Sequence, residues 1–210
     1  MSTSQFVWNY RRIINALLDG ALPDAPSVAS QVARKFRSIL KLPLSSVLRS
    51  YLEVNLEKLE HREKNEIART VELGEFARET KQAEACNEIG IYVYALPHYV
   101  LYPFDPASGR TLMKVGRSDR DIIERFRNQT RTTALPEEPI LLRIYRTDGP
   151  MGLVEVESDF HRLLKAAGHY RGVARSAGQE WFVTSTEFLD EAARVMRLHA
   201  RVVNEVGVPE

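Results

Sequence analysis

Apolar residues recur at helical spacing through the first 85 positions and change to strict alternation near position 90, which divides the chain in two. In FVWNYRRIINALL, Phe6, Tyr10, Ile13, Ile14 and Leu17 make one stripe, and Gly20 is a plausible stop. Ser27 then reads as the cap of VASQVARKFRSIL, where Val28, Val32, Phe36, Ile39 and Leu40 form a second stripe. A third, more charged helix is expected from about Ser45 to Thr80, with Leu48, Leu52, Leu56 and Leu59 on one side. Its apolar repeat covers few heptads, so packing within its own domain is favoured over pairing with a second copy.

Beyond Cys86 the pattern is that of strands. GIYVYAL alternates and is rich in aromatic and β-branched residues, TLMKVG is a second strand, and PILLRIYRT from Pro139 a third. YPFDPASGR, between the first two, reads as a hairpin turn. SDRDIIERFRNQ, capped by Ser118 or Asp119, is a short helix with Ile122, Ile123 and Phe126 inward. GLVEVESDFHRLLKAAG is an amphipathic helix closed by Gly168, followed by the basic loop HYRGVARSAGQ, the short strand EWFVT and a final helix, STEFLDEAARVMRLHARVV. The order predicts an α+β fold, a small three-stranded, mostly antiparallel sheet flanked by helices. Residues 1–85 form an all-helical region before it, and 86–210 the sheet-bearing domain.

At 210 residues and 44% apolar, the chain can bury an ordinary core. No apolar run approaches the ~20 residues that span a bilayer, and no apolar segment leads to a small-residue cleavage site, so no membrane association and a cytoplasmic location are expected. The single cysteine, Cys86, reads as an idle linker thiol rather than a nucleophile. A net charge of +1 neither demands nor excludes a polyanionic partner, but its distribution is uneven. Arg110 to Arg131 hold seven bases and three acids, and Arg162 to Arg175 four bases and no acid.

Several polar residues stand where a core-facing stripe prefers apolar ones. Glu157 lies beside the stripe of its helix, with His161 at i+4 on the same edge. Buried carboxylates are usually paired or bound to metal, and Arg125, at the margin of its own helix stripe, is one such pair partner. On the first strand Tyr92 and Tyr94 share a face and are either packed rings or working phenols. Two strand tyrosines, a strand ending in glycine, a helix arginine and a helix glutamate together are the parts for cutting a phosphodiester. Trp181 and Phe182 read as core rings, with Glu180 at the border of the site. Arg171 and Arg175, with His169 and Tyr170, suit a nucleic acid backbone. There is no cysteine cluster for zinc, no glycine-rich nucleotide loop and no Gly-x-Ser-x-Gly elbow.

Taken in order, GIYVYAL, KVGRS, ERF, ESDFH and EWF resemble the GIY-YIG nuclease superfamily, in particular the branch whose second signature starts with lysine. The resemblance covers about residues 88–195. It matches Gly90, Ile91 and Tyr92 to the first triplet, and Lys114, Val115 and Gly116 to the second. Arg125 matches the helix arginine, Glu157 the metal-binding glutamate and His161 the branch histidine. Lys114 stands where the second tyrosine would be, and about twenty residues separate the signatures, which leaves Tyr92 and Tyr94 as alternative phenols. The resemblance implies a DNA endonuclease in defence or DNA processing. One Mg²⁺, with Mn²⁺ as substitute, would sit on Glu157 and several waters. Arg125 would grip the phosphate, and Arg117, Arg127, Arg171 and Arg175 would contact DNA. Lys114 would stabilise phenolate or phosphate. His161 would orient Glu157, bind phosphate or relay a proton. The N-terminal helices would bind DNA, a partner or a second copy of the chain. The alternative is a module on the same scaffold that binds nucleic acid or assembles without catalysis.

Overall fold

The computed structural model describes residues 5–86, 88–105, 108–118, 137–147, 152–169 and 180–204. The chain divides into two compact units, one ending at Gly74 and the other beginning at Glu75. The helix read after the second strand and the basic loop at 170–179 lie outside the described residues.

The first unit contains α1 (Gln5–Leu18), α2 (Pro26–Ile39), α3 (Ser46–Glu63) and the beginning of α4 (Glu66–Glu84). Its core joins Ala16 to Val28, Val32 and Phe36 of α2 and Leu52 and Leu59 of α3, as the helical stripes require. The single helix expected from 45 to 80 is two. Asn65 interrupts it, its Oδ1 accepting the Ala68 N–H at 3.0 Å to cap α4. Ser27 is not the cap of α2 either. Pro26 takes the first helical position after Ala25, and no side chain caps locally. Glu72 supplies the missing acceptor, taking the Ser27 hydroxyl at 2.5 Å and the Ser27 N–H at 3.3 Å. A carboxylate at a helix N-terminus is favoured by the helix dipole, but this one comes from 45 residues away, beyond any local pattern.

The second unit is built on β1 (Gly90–Ala95), β2 (Thr111–Ser118), β3 (Ile140–Arg146), β4 (Trp181–Thr184) and β5 (His199–Val202), with α5 (Pro97–Leu101), α6 (Leu153–Ala166) and α7 (Thr186–Val195) between them. The α+β class stands, but the sheet has five strands, not three, all antiparallel in the order β4-β2-β1-β3-β5. β4 is the EWFVT segment, paired along β2. β5 lies within what reads as the last helix. That helix stops because Arg197 takes φ +57°, allowing the Leu198 N–H to reach the Ala193 carbonyl and the Arg197 N–H that of Arg194. α6 ends in the same way at Gly168, where φ is +72° and glycine makes the stop visible. With arginine in the left-handed position the signal is absent from the sequence.

β1 is central and wholly buried. Gly90 at its start is required by closeness, because a Cβ there would run into the Tyr145 carbonyl of β3. On one face Tyr92, Tyr94, Leu141 and Ile144 pack with Ala83 of α4 and Trp181. Asn204 closes this side, its Nδ2 reaching the Thr80 hydroxyl at 2.9 Å and the Leu141 carbonyl at 2.8 Å. On the other face α6 crosses β1 and β2, with Phe160 stacked on Tyr145 at 5.4 Å, and α7 packs on β3 and β5. Arg143, 1% exposed, is held there by both carboxylate oxygens of Asp190 at 3.1 Å and by the Asn204 carbonyl at 2.8 Å. The Tyr145 hydroxyl donates to the same Asp190 at 2.8 Å.

His169, just past α6, is buried against Phe188 with Nδ1 2.8 Å from the Thr184 hydroxyl. Burial, and then the Arg110 charge, hold its pKa below the ordinary 6.5. The folded state therefore resists protonation. Stability is full above the unfolded value and falls as pH drops below 6.5 toward the lower folded value. Urea midpoints measured at about pH 7.5 and about pH 5.5 should show this loss, and His169→Asn should shrink it. An equal pH dependence in the variant would assign the effect to other groups.

Candidate active site

Antiparallel pairing sets Tyr92 opposite Gly116 and Tyr94 opposite Lys114. The two tyrosine rings are stacked, 6° from parallel with centroids 5.7 Å apart, and Trp181 meets Tyr94 edge-on at 5.7 Å. Gly116 makes room for Tyr92. The Cβ it lacks would lie 2.8 Å from the Tyr92 Oη and 3.5 Å from Glu180 Oε2, so phenol and carboxylate border one point above bare backbone. Glu180 Oε2 is also 2.9 Å from Lys114 Nζ, which stands 5.5 Å from the centre of the Tyr94 ring. Lys114 is 8% exposed and the tyrosines less, so these charges act in a low-dielectric pocket where each counts for more than in water.

Arg117 projects from the opposite face of β2. The N–H groups of Val115 and Arg117 point to the same edge of the strand. Val115 gives its N–H to the Glu180 carbonyl at 2.9 Å, just before β4 begins. One ladder position further, where β4 provides no partner, the Arg117 N–H goes to Oε1 of Glu157 at 3.1 Å. The other oxygen, Oε2, pairs with Arg117 Nε at 2.9 Å. Glu157 of α6 thus takes the place of a strand on the β2 edge. Its acceptor lies about 7 Å along the strand from the Glu180 carbonyl.

His161, one turn further along α6, is fixed by a 2.8 Å contact of Nε2 with the Val115 carbonyl and by the Phe182 ring at 4.9 Å. A carbonyl only accepts, so Nε2 carries the proton and Nδ1 remains for other chemistry. Glu157 is in contact with Arg117, while the Nε2 contact of His161 is with the Val115 carbonyl. Beside these groups an open groove of about 440 Å³ runs along α6 past Val154, Glu157, Ser158, His161, Arg162 and Lys165.

The expected residues therefore meet at one stretch of β2, Lys114 to Arg117, with the tyrosines and Lys114 on one face and His161 reaching it from α6. Glu157 stands at the edge between. Arg117, expected on DNA, faces Glu157. Arg125, Arg127, Arg171 and Arg175 lie outside the described residues. Sequence reasoning placed Glu180 only at the border; its pairing with Lys114 depends on the β2–β4 register, which no local pattern encodes.

Among the described residues no three of His, Cys, Asp and Glu converge as a metal cage. Glu157 is a single carboxylate beside an open groove, and each of its oxygens keeps lone-pair capacity beyond its contact with Arg117. That donor set fits a hydrated hard cation such as Mg²⁺, which keeps most of its waters, and does not fit a tetrahedral zinc site.

A family model described as the T5orf172 domain matches residues 91–197, about half of the chain and all of this site. No curated protein and no solved structure matches the chain.

Proposed function

The chain belongs to the T5orf172 domain family, a nuclease-associated fold, and on that premise we propose that it is a Mg²⁺-dependent endonuclease of GIY-YIG type that hydrolyses DNA phosphodiesters. The observation that carries this reading is that one stretch of β2, Lys114 to Arg117, bears the Lys114 ammonium, the clearing at Gly116 over which the Tyr92 phenol sits, and the Arg117 N–H that holds the Glu157 carboxylate at the strand edge. Defence against foreign DNA or DNA processing is the role the resemblance implies.

In this reading Tyr92 is the working phenol, since its hydroxyl lies over Gly116, at a point the Glu180 carboxylate also borders, and Tyr94 is the ring that backs it. Lys114 favours the phenolate by its fixed charge, so the oxygen can take a proton from the attacking water. Arg117 holds Glu157 by main chain and side chain, aligning the carboxylate that would carry the ion. When bound there, Mg²⁺ supplies Lewis-acid relief of the charge that builds on the phosphate and leaving oxygens. Arg162 and Lys165, which line the groove beyond Glu157, would hold the phosphate backbone beside the scissile bond. Arg125 enters as phosphate clamp on the resemblance alone.

Plasmid and single-stranded DNA incubated with the full chain and Mg²⁺ or Mn²⁺ should be cut, and EDTA should stop it. Binding without cutting on every substrate and with both metals would overturn the enzyme and leave the binding module.

A further inference from the structure

We propose that Glu180 is a positioning residue of this site, holding Lys114 against the stacked tyrosines and keeping it charged while the reaction runs. The proposal rests on the nuclease reading above and adds a residue to it.

Lys114 occupies an inward position of β2, where a buried ammonium needs opposing charge. β1 gives it the Tyr94 ring and, one pair further, the Tyr92 hydroxyl. From the β4 side come Trp181, directly opposite, and the Glu180 carboxylate, and α4 presents Ala83 to this face. Glu180 is fixed twice. Its carbonyl takes the Val115 N–H at 2.9 Å, pinning the backbone to β2, while its Oε2 reaches back over Gly116 to Lys114 Nζ at 2.9 Å. A carboxylate anchored on the strand that carries the lysine sets where the ammonium sits relative to the phenol. Because that carboxylate also borders the gap above Gly116, it shares the space where the phenol works. A lysine left to choose its rotamer would not hold this geometry.

The test follows Lys114 directly. With lysines labelled with ¹³C at Cε, its signal is identified by its loss in Lys114→Arg and titrated in the full-length protein. In Glu180→Gln the midpoint should move to lower pH, because the opposing charge is gone while burial remains. In cleavage assays the kcat ratio between about pH 9 and about pH 7 should fall about tenfold in Glu180→Gln, with KM little changed. Adding Lys114→Arg should restore a flat profile, since a guanidinium stays charged there. An unmoved midpoint overturns the proposal, and so does a moved midpoint with an unmoved rate profile. If Glu180→Gln does not fold, Glu180→Asp takes its place and should give a smaller shift in the same direction, with no shift overturning it. If the wild type cuts nothing, the nuclease reading fails separately, because the NMR midpoint still reports whether Glu180 governs Lys114.

Discussion

Glu157→Gln protein is expected to bind DNA and leave it uncut, with cleavage at least about a thousandfold below wild type. Glutamine keeps the size of the side chain, and its carbonyl can still accept the Arg117 N–H that Glu157 takes at 3.1 Å. What it removes is the negative charge facing both Arg117 and the groove. A hydrated divalent ion held by one carboxylate has little left to hold it once that charge is gone. DNA binding should persist or tighten, since the groove loses an anion and retains Arg162 and Lys165. Single-turnover cleavage and filter binding on the same preparations separate the two effects. Cutting that survives in Glu157→Gln, after repurification to constant specific activity, would remove Glu157 from the site.

The second large effect concerns stability. Asp190→Ala should cost the second unit about 3–5 kcal/mol, a large share of an ordinary domain's stability. The cost arises because Arg143 is 1% exposed and cannot leave with its charge unpaired. Asp190 meets its Nε with both oxygens and also accepts the Tyr145 hydroxyl, so one truncation removes the facing carboxylate from a buried guanidinium and an acceptor from a phenol. Replacing the pair by apolar residues, as Arg143→Met with Asp190→Leu, should recover most of the loss, since the expense lies in an unpaired buried charge rather than in a missing attraction. Urea denaturation followed by far-ultraviolet circular dichroism measures both. A loss below about 1 kcal/mol in Asp190→Ala would mean that water reaches Arg143.

Neither Arg143 nor Asp190 stands out in the sequence, and the reason is geometric. Arg143 sits in PILLRIYRT, where a charged residue in an alternating strand reads as solvent-facing, yet both faces of this sheet are covered. Tyr92, Gly116 and Glu157 were legible because a strand alternation, a glycine in a strand and a carboxylate beside an apolar stripe are local patterns, although β2 does not end at Gly116 as expected but continues to Ser118, paired with β1. The spacing on α6 likewise put Glu157 and His161 on one edge, and the structure brings both to β2.

By itself, then, the sequence determined the strands β1 to β3, the helical character of the first 85 residues and the residue types available for phosphodiester chemistry, because each depends on a period of a few residues. Tertiary structure alone decided that the sheet has five strands, that Glu72 rather than Ser27 satisfies the start of α2, and that Glu180 meets Lys114. Each of those outcomes joins groups tens of residues apart, or, at Arg197, puts a residue in a conformation its side chain does not announce. Pairing register and burial set such contacts, and both arise only when the chain closes on itself.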